Sequence, residues 1–393
     1  MNLIKYAVWV FFAWTAGLAT AADLSRPVVI GLSAEFGVKN SIAAQSIEKG
    51  MLLAIDEINT SGGVLGGRKL QLDSRDDRGV PARGKDNFIE FAANPDVIAV
   101  FNGRFSPVTI ELAPLTNEFK LLLLCPWSAA DAITRQPSPN YVFRLSMTDT
   151  WAMQRMQDYA RSRDFKQVAL MLPNTAWGRS SEAAFLKYQK NHRNFRHITL
   201  RYNWGETEFR EKIQDAINFG SDAIILVSNE AEGVPFVQQI AELPLDKRLP
   251  IISHWGITGG DFAKMAGDAL NSVDLTVVQT FTFNDATSEK TKKVAKNAER
   301  FFGHHINQLH AQVGFAHAYD LTHLLALAIK KAGSSERRAV RDALEQLDGY
   351  KGLVREYKRP FTKVDHEALD KSQLFMGRFD KFGNVQKINE NYQ

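Results

Sequence analysis

Gly50–Asp77 reads GMLLAIDEINTSGGVLGGRKLQLDSRDD. Ile47, Met51, Ile55 and Ile58 recur every three or four residues, the spacing of one apolar helix face, while Lys49, Asp56, Glu57 and Asn59 fall on other faces. Gly62-Gly63 then stops the helix, because glycine accepts the left-handed turn that closes a helix C-terminus. Gly66-Gly67 supplies a second turn. Leu70 and Leu72 alternate with Lys69, Gln71 and Asp73, which is strand period. Upstream, Val28–Ser33 (VVIGLS) is a short apolar run of buried-strand character. Strand, helix, glycine turn and strand make a parallel crossover unit.

The unit then repeats. Pro81–Ala93, Pro107–Glu118, Trp151–Arg163, Arg179–His192, Glu208–Phe219 and Glu232–Leu243 carry helical periodicity. Between them lie the short apolar runs Val97–Phe101, Leu121–Cys125, Gln167–Leu172, Ile198–Tyr202, Ala223–Val227 and Leu249–Ile252. This alternation predicts doubly wound parallel α/β sheets. The chain changes character around Arg144–Thr150, where a second series begins. With 393 residues, two lobes are expected. Leu275–Phe283 reads as a strand leaving the second lobe. Helical stretches at Ser288–Gly303, Val313–Ala332 and Ser334–Leu347 follow, then a late strand at Leu374–Phe379.

Composition narrows the function. Apolar content of 45% with 23% charge is that of a water-soluble globular chain. A net charge of +4 with scattered basic residues gives no reason to expect a nucleic-acid partner. Met1–Ala22 has a basic start at Lys5, an apolar run Tyr6–Leu18 and a small-x-small pattern at Ala19-Thr20-Ala21, which predicts an export signal cleaved after Ala21 or Ala22. The run is shorter than the ~20 residues that span a bilayer. The single Cys125 sits in LLLLC and reads as a small buried residue. No G-x-S-x-G, H-E-x-x-H or G-x-G-x-x-G motif occurs, so no enzyme and no cofactor are expected. His304, His305 and His310 read as a solvated helix end rather than a metal site, and Arg75-Asp76-Asp77-Arg78 as charges that solvate or pair locally.

In open parallel sheets a ligand binds beyond the carboxyl ends of the strands. The loops at those ends are Ala34–Lys39, Asn102–Ser106, Pro126–Ala130, Pro173–Gly178, Ser228–Gly233 and His254–Gly259. Ser106-Pro107 has the pattern of a helix N-cap followed by proline. A helix start of that kind suits an anionic group such as a carboxylate. Phe105, Trp127, Trp177 and Trp255 together would line an aromatic pocket. Asn229 and Glu230 lie where they could meet a polar ligand group.

The opening stretch, with Gly31, Glu57-Ile58-Asn59, Gly62-Gly63, Gly66, Leu70 and Asp76-Asp77, resembles the start of type I periplasmic binding proteins of the branched-chain amino-acid and amide group. The likeness runs from about Val28 to about Gly383 and is strong again at Ala266-Gly267-Asp268-Ala269. It implies two lobes joined by three crossings, near Ser146, Thr280 and Gly349. That puts 23–146 with 281–349 in one lobe and 147–280 with 350–393 in the other. It implies that Ser106 holds a ligand carboxylate, that Ala129 or Ser128 beside it contacts the ligand, and that Trp177 closes over it. Trp255 stands near where amino-acid binders commonly have a carboxylate for the ligand ammonium. An unpaired ammonium in a closed cleft is costly, so Glu230, Asp261 or a cation–π contact with Trp255 would have to compensate. Otherwise the ligand lacks an ammonium and is a carboxylate with an apolar or aromatic body, or an amide. The resemblance further implies a periplasmic monomer that delivers its ligand to a membrane ABC permease. A sensor that presents its closed form to a membrane receptor kinase is the alternative, and an exported hydrolase a more distant one.

Overall fold

The computed structural model describes residues 26–192, 195–284 and 287–389. The export segment expected at 1–22 lies outside them.

The first sheet is built from β1 (Val28–Ala34), α1 (Ala43–Thr60), β2 (Leu70–Asp76), α2 (Pro81–Ala93), β3 (Val97–Asn102), α3 (Ser106–Leu112), α4 (Leu115–Phe119), β4 (Leu122–Cys125) and β5 (Val142–Arg144). Its order is β2-β1-β3-β4-β5, all parallel. The apolar stripe of α1 is buried as its spacing requires: Ile47, Met51, Ile55 and Ile58 all lie in the core. One expected helix over Pro107–Glu118 is instead two. Pro114 lacks the N–H that would continue α3, so the chain breaks there and restarts as α4. Asp77 is not solvated but buried. It accepts from Ser33 Oγ (3.1 Å) and Gly79 N (2.8 Å), and burial pushes its carboxyl up to about 6. Cys125 is buried in β4, and burial raises its thiol pKa.

The second sheet repeats the plan with α5 (Asp149–Ser162), β6 (Gln167–Pro173), α6 (Ala176–Asn191), β7 (Arg196–Tyr202), α7 (Arg210–Asn218), β8 (Ala223–Leu226), α8 (Glu230–Glu242), β9 (Ile251–Ser253), α9 (Phe262–Ala266) and β10 (Leu275–Gln279). The strand leaving this sheet ends at Gln279, short of the expected Phe283. The helices α10 (Glu289–Phe302), α11 (Gln312–Ala332) and α12 (Arg337–Leu344) then return to the first sheet, where α11 lies along α1. A small hairpin, β11 (Tyr350–Lys351) with β12 (Glu356–Tyr357), is clamped by buried Asp320 of α11. Its carboxylate accepts from Leu353 N (2.6 Å), Val354 N (2.9 Å) and Tyr357 Oη (2.7 Å). The chain next runs beside β5, with Arg144 N donating to His366 O and Ala368 N to Arg144 O, both at 2.9 Å. Finally β13 (Phe375–Phe379) and β14 (Val385–Lys387) extend the second sheet antiparallel, in the order β14-β13-β10-β9-β8-β6-β7.

Both sheets thus carry the same parallel core order, and their strand-end loops meet across a cleft. Ile42 N donates to Gly259 O (2.9 Å) and Asp131 N to Ser180 Oγ (3.1 Å), so the lobes are closed on one another. Among the described residues no helix is long and apolar enough to cross a membrane.

Candidate functional site

A narrow cavity, about 270 Å³ with the solvent at its mouth included, lies between the lobes. The loop after β3 contributes Arg104, Phe105 and Ser106, and the loop after β4 contributes Trp127 and Ala129. The second lobe contributes Trp177 from α6, Trp204 after β7, Asn229 before α8, and Trp255 and Gly256 after β9.

The loop after β4 is a fixed platform, because its carbonyls are all spoken for. Pro126 O faces His317 Nδ1 (2.7 Å), Trp127 O accepts from Ser146 Oγ (2.9 Å), and Ala129 O from Asp149 N (2.8 Å). Buried Arg144 reaches Ala130 O (2.8 Å) and Ser128 O (3.2 Å). Since a carbonyl only accepts, His317 carries its proton on Nδ1, and Nε2 accepts from Thr280 Oγ1 at 3.0 Å. Burial pushes the pKa of His317 down to about 4, against that carbonyl bond, so the ring is neutral.

Ser106 lines the cavity, with its Oγ accepting from Ala130 N at 3.2 Å. It is the first residue of α3 rather than its cap. Phe105 O accepts from Val108 N and Thr109 N, which closes the turn one residue earlier than expected. Ser128 does not reach the cavity. It is fully buried behind it, its Oγ engaged with Asn102 Nδ2 (2.9 Å), Thr109 Oγ1 (2.7 Å) and Gly103 O (3.0 Å). The neighbouring Ala129 forms the wall instead.

On the second lobe, Thr175 caps α6 through Gly178 N, which sets Trp177 at the start of the helix. The Trp177 indole N–H donates to buried Asp149 (3.1 Å), which also accepts from Ser181 Oγ (3.2 Å) and lies 3.3 Å from His254 Nε2. Serine, histidine and aspartate meet here, but the serine faces the carboxylate and not the imidazole. The group therefore gives no activated nucleophile. Trp255 rests on Trp127 across the cleft and on His317, at centroid distances of 5.8 and 5.7 Å. Trp204 packs on Phe105 at 5.0 Å, and its indole N–H is buried without a protein partner.

Arg104 is the charged residue of the wall, and it is already paired. Its Nη2 donates to Glu230 Oε1 at 2.7 Å, its Nη1 contacts Oε2, and it reaches Gly256 O at 3.3 Å. Glu230 is therefore committed to a guanidinium from the other lobe. Asp261 is away from the cavity, its carboxylate 3.9 Å from His310. Neither residue offers the carboxylate that a ligand ammonium would need.

The structure thus brings Phe105, Ser106, Trp127, Ala129, Trp177, Asn229 and Trp255 to one cavity and leaves Ser128 outside it. Arg104 and Trp204 escaped the sequence reading. Arg104 stands beside Phe105 in a loop already marked. Trp204 follows an edge strand, whose end loop obeys the same rule as the others. The histidine group holds no metal geometry. His304 lies 3.3 Å from Lys49 Nζ and His310 3.3 Å from Asn384 Oδ1, and among the described residues no three His, Cys, Asp or Glu side chains are arranged to hold an ion.

Comparison with known proteins agrees with this architecture. The sequence profile of the family described as periplasmic binding protein matches residues 27–381. The Leu/Ile/Val-binding protein BraC3 of Rhizobium johnstonii is 26% identical over 339 residues, covering 84% of this chain and 86% of that protein. A periplasmic binding protein type 1 from Bordetella pertussis Tohama I superposes with a TM-score of 0.82 at 18% identity, over 92% of this chain and all of that one. A solute-binding protein of an ABC transporter from Rhodopseudomonas palustris HaA2, solved with p-hydroxybenzoic acid, gives 0.78 at 17% identity, over 92% and 96%.

Proposed function

The chain belongs to the periplasmic binding protein family, and on that premise we propose that it is the solute-binding component of an ABC importer for a small carboxylate or amide with an aromatic or apolar body. The observation that carries this reading is the wall of the cavity. Five aromatic rings line it, and its single charged side chain, Arg104, is held by Glu230. A ligand ammonium would be desolvated there without a carboxylate. A flat apolar body would gain ring contacts, and the hydroxyl of Ser106, the amide of Asn229 and the indole N–H of Trp204 are the polar groups left to orient it.

Ligand first meets the lobe of Ser106, Trp127 and Ala129; the hinge then closes Trp177, Asn229 and Trp255 over it. We place the crossings at 145–148, 280–283 and 369–374. The third is later than Gly349, because 350–368 keeps its hydrogen bonds to α11 and β5 of the first lobe. A monomer exported on its first 22 residues completes the reading.

Thermal shift tests it, on mature protein refolded to strip carried-over ligand. The panel holds benzoate, 4-hydroxybenzoate, short amides, leucine and isoleucine. A ligand at 100 times its Kd adds about 2.7 kcal/mol, seen as a raised midpoint. Stabilisation by aromatic acids or amides, with leucine and isoleucine silent, is expected. Stabilisation by the amino acids alone would overturn the ligand class and point to the specificity that the name of the BraC3 relative carries.

A further inference from the structure

Arg104 has two carboxylates, one on each lobe. Glu230 holds it from the second lobe in a pair whose side chains are 2% and 0% exposed. Glu35, on its own lobe and 1% exposed, approaches from the other side. Its Oε1 is 3.5 Å from Arg104 Nε, and its Oε2 accepts from Arg104 N at 3.2 Å. Glu35 Oε1 and Arg104 Nε have no hydrogen-bond partner while the lobes are closed. The backbone is cut to fit the group. A Cβ on Gly259 would overlap Arg104 Nη1, one on Gly260 would come 2.7 Å from Glu230 Cγ, and one on Gly103 would overlap Glu35 Oε2. Gly259 O also takes the cross-lobe bond from Ile42 N at 2.9 Å. Moving the lobes apart carries Glu230, Gly256 O and Gly259 away from Arg104 and leaves Glu35 beside it.

We infer that Arg104 changes partners as the cleft moves, pairing with Glu35 when it is open and with Glu230 when it is closed, so that the second pair is a latch holding the closed form without ligand. The inference rests on the hinged two-lobe reading above but not on the ligand class.

Closing is then linked to protons. In the closed form burial pushes Glu35 up to about 7, against Arg104 and with help from Asp77. In the open form Glu35 regains water and sole claim to Arg104, and both lower its pKa. The closed form binds more protons, so it gains as pH falls through 7. The other groups facing the cluster move with their own lobe. Asp77 is bonded to Ser33 and Gly79, with Asp76 beside it, and Glu232 accepts from Gly205 N.

The test is small-angle X-ray scattering on the ligand-stripped mature chain at pH 6 and pH 8. The wild type is compact at pH 6, and its closed-to-open ratio falls about tenfold by pH 8. Glu35→Gln abolishes that dependence and stays compact. Glu230→Gln expands at both pH values while circular dichroism shows a folded chain. Should it fail to fold, the double variant Arg104→Met/Glu230→Met removes both charges and expands likewise. An expanded wild type at pH 6, or charge-removed variants as compact as the wild type, overturns the latch. Because no ligand is used, a silent ligand panel and a failed latch are separate results.

Discussion

Trp127 and Trp255, one from each lobe, meet across the cleft with ring centroids 5.8 Å apart and planes 54° apart. Each wall of the cavity therefore rests on the other, and ligand has to enter between surfaces that already touch. Trp255→Ala removes this contact and the one to His317. We expect at least a tenfold loss of affinity for whichever acid or amide the panel finds, about 1.4 kcal/mol. Trp255→Phe should keep most of it, since an aromatic contact of this kind is worth about 0.5–1.5 kcal/mol beyond area. Isothermal titration compares them, and equal affinity in Trp255→Ala would remove Trp255 from the site.

Trp177 is held from behind by Asp149. Replacing Asp149 by Leu leaves the Trp177 indole and the Ser181 hydroxyl without an acceptor in a buried place. Each lost partner costs about 1–3 kcal/mol. The urea midpoint should fall accordingly, whereas Asp149→Asn, which keeps a carbonyl acceptor, should lose less. A Leu variant as stable as Asn would mean that the aspartate does not orient the ring.

Two serines that look alike in sequence should behave differently. Ser106→Ala deletes a cavity hydroxyl, so it should weaken ligand binding about tenfold, ~1.4 kcal/mol, and it also leaves the buried Ala130 N–H without its acceptor, which lowers stability too. Ser128→Ala strips buried Asn102 and Thr109 of a partner. It should cost stability of about 1–3 kcal/mol and leave affinity nearly unchanged. Ligand titration and urea melts on the same pair of variants would reverse this assignment if Ser128→Ala were the weaker binder.

What the sequence disclosed follows from which forces are local. The α1 stripe, the glycine turn after it and the apolar strands are set by periodicity, and those elements appear within a few residues of the expected places. Two of the edge strands, β5 and β14, were not legible. β5 is three residues long, and β14 forms only because β13 is there to pair with. The same holds within the site. Trp127, Trp177 and Trp255 stand out as large rings in strand-end loops. The Arg104–Glu230 pair spans 126 positions and two lobes, and only the packed structure removes Glu230 from the set of free carboxylates.

His317 ties the hinge to the cleft, and its titration gives the last prediction. Its Nδ1–H is bonded to Pro126 O and its Nε2 to Thr280 Oγ1, at the start of a proposed crossing. Burial holds its pKa at about 4, below the ordinary value of 6.5. The unfolded chain therefore takes up this proton first as pH falls. Above pH 6.5 both forms are neutral and the group has no effect. Between 6.5 and 4 the unfolded form gains, so stability drops, by about 3 kcal/mol at pH 4. His317→Asn should lose some stability at pH 7.5 but flatten this part of the pH profile. Urea melts of both proteins from pH 7.5 to 4.5 read it directly, and an equally steep fall in the variant would place the acid sensitivity elsewhere, with His366, which burial also holds below the ordinary histidine value, the next group to examine. Glu57 acts only at lower pH: burial alone would raise its carboxyl, but the nearby His323, 3.4 Å away, and hydrogen bonds from Tyr319 and Asn297 outweigh it and hold the pKa at about 2. Its stabilisation is present above the ordinary carboxylate range and is lost as pH falls toward 2.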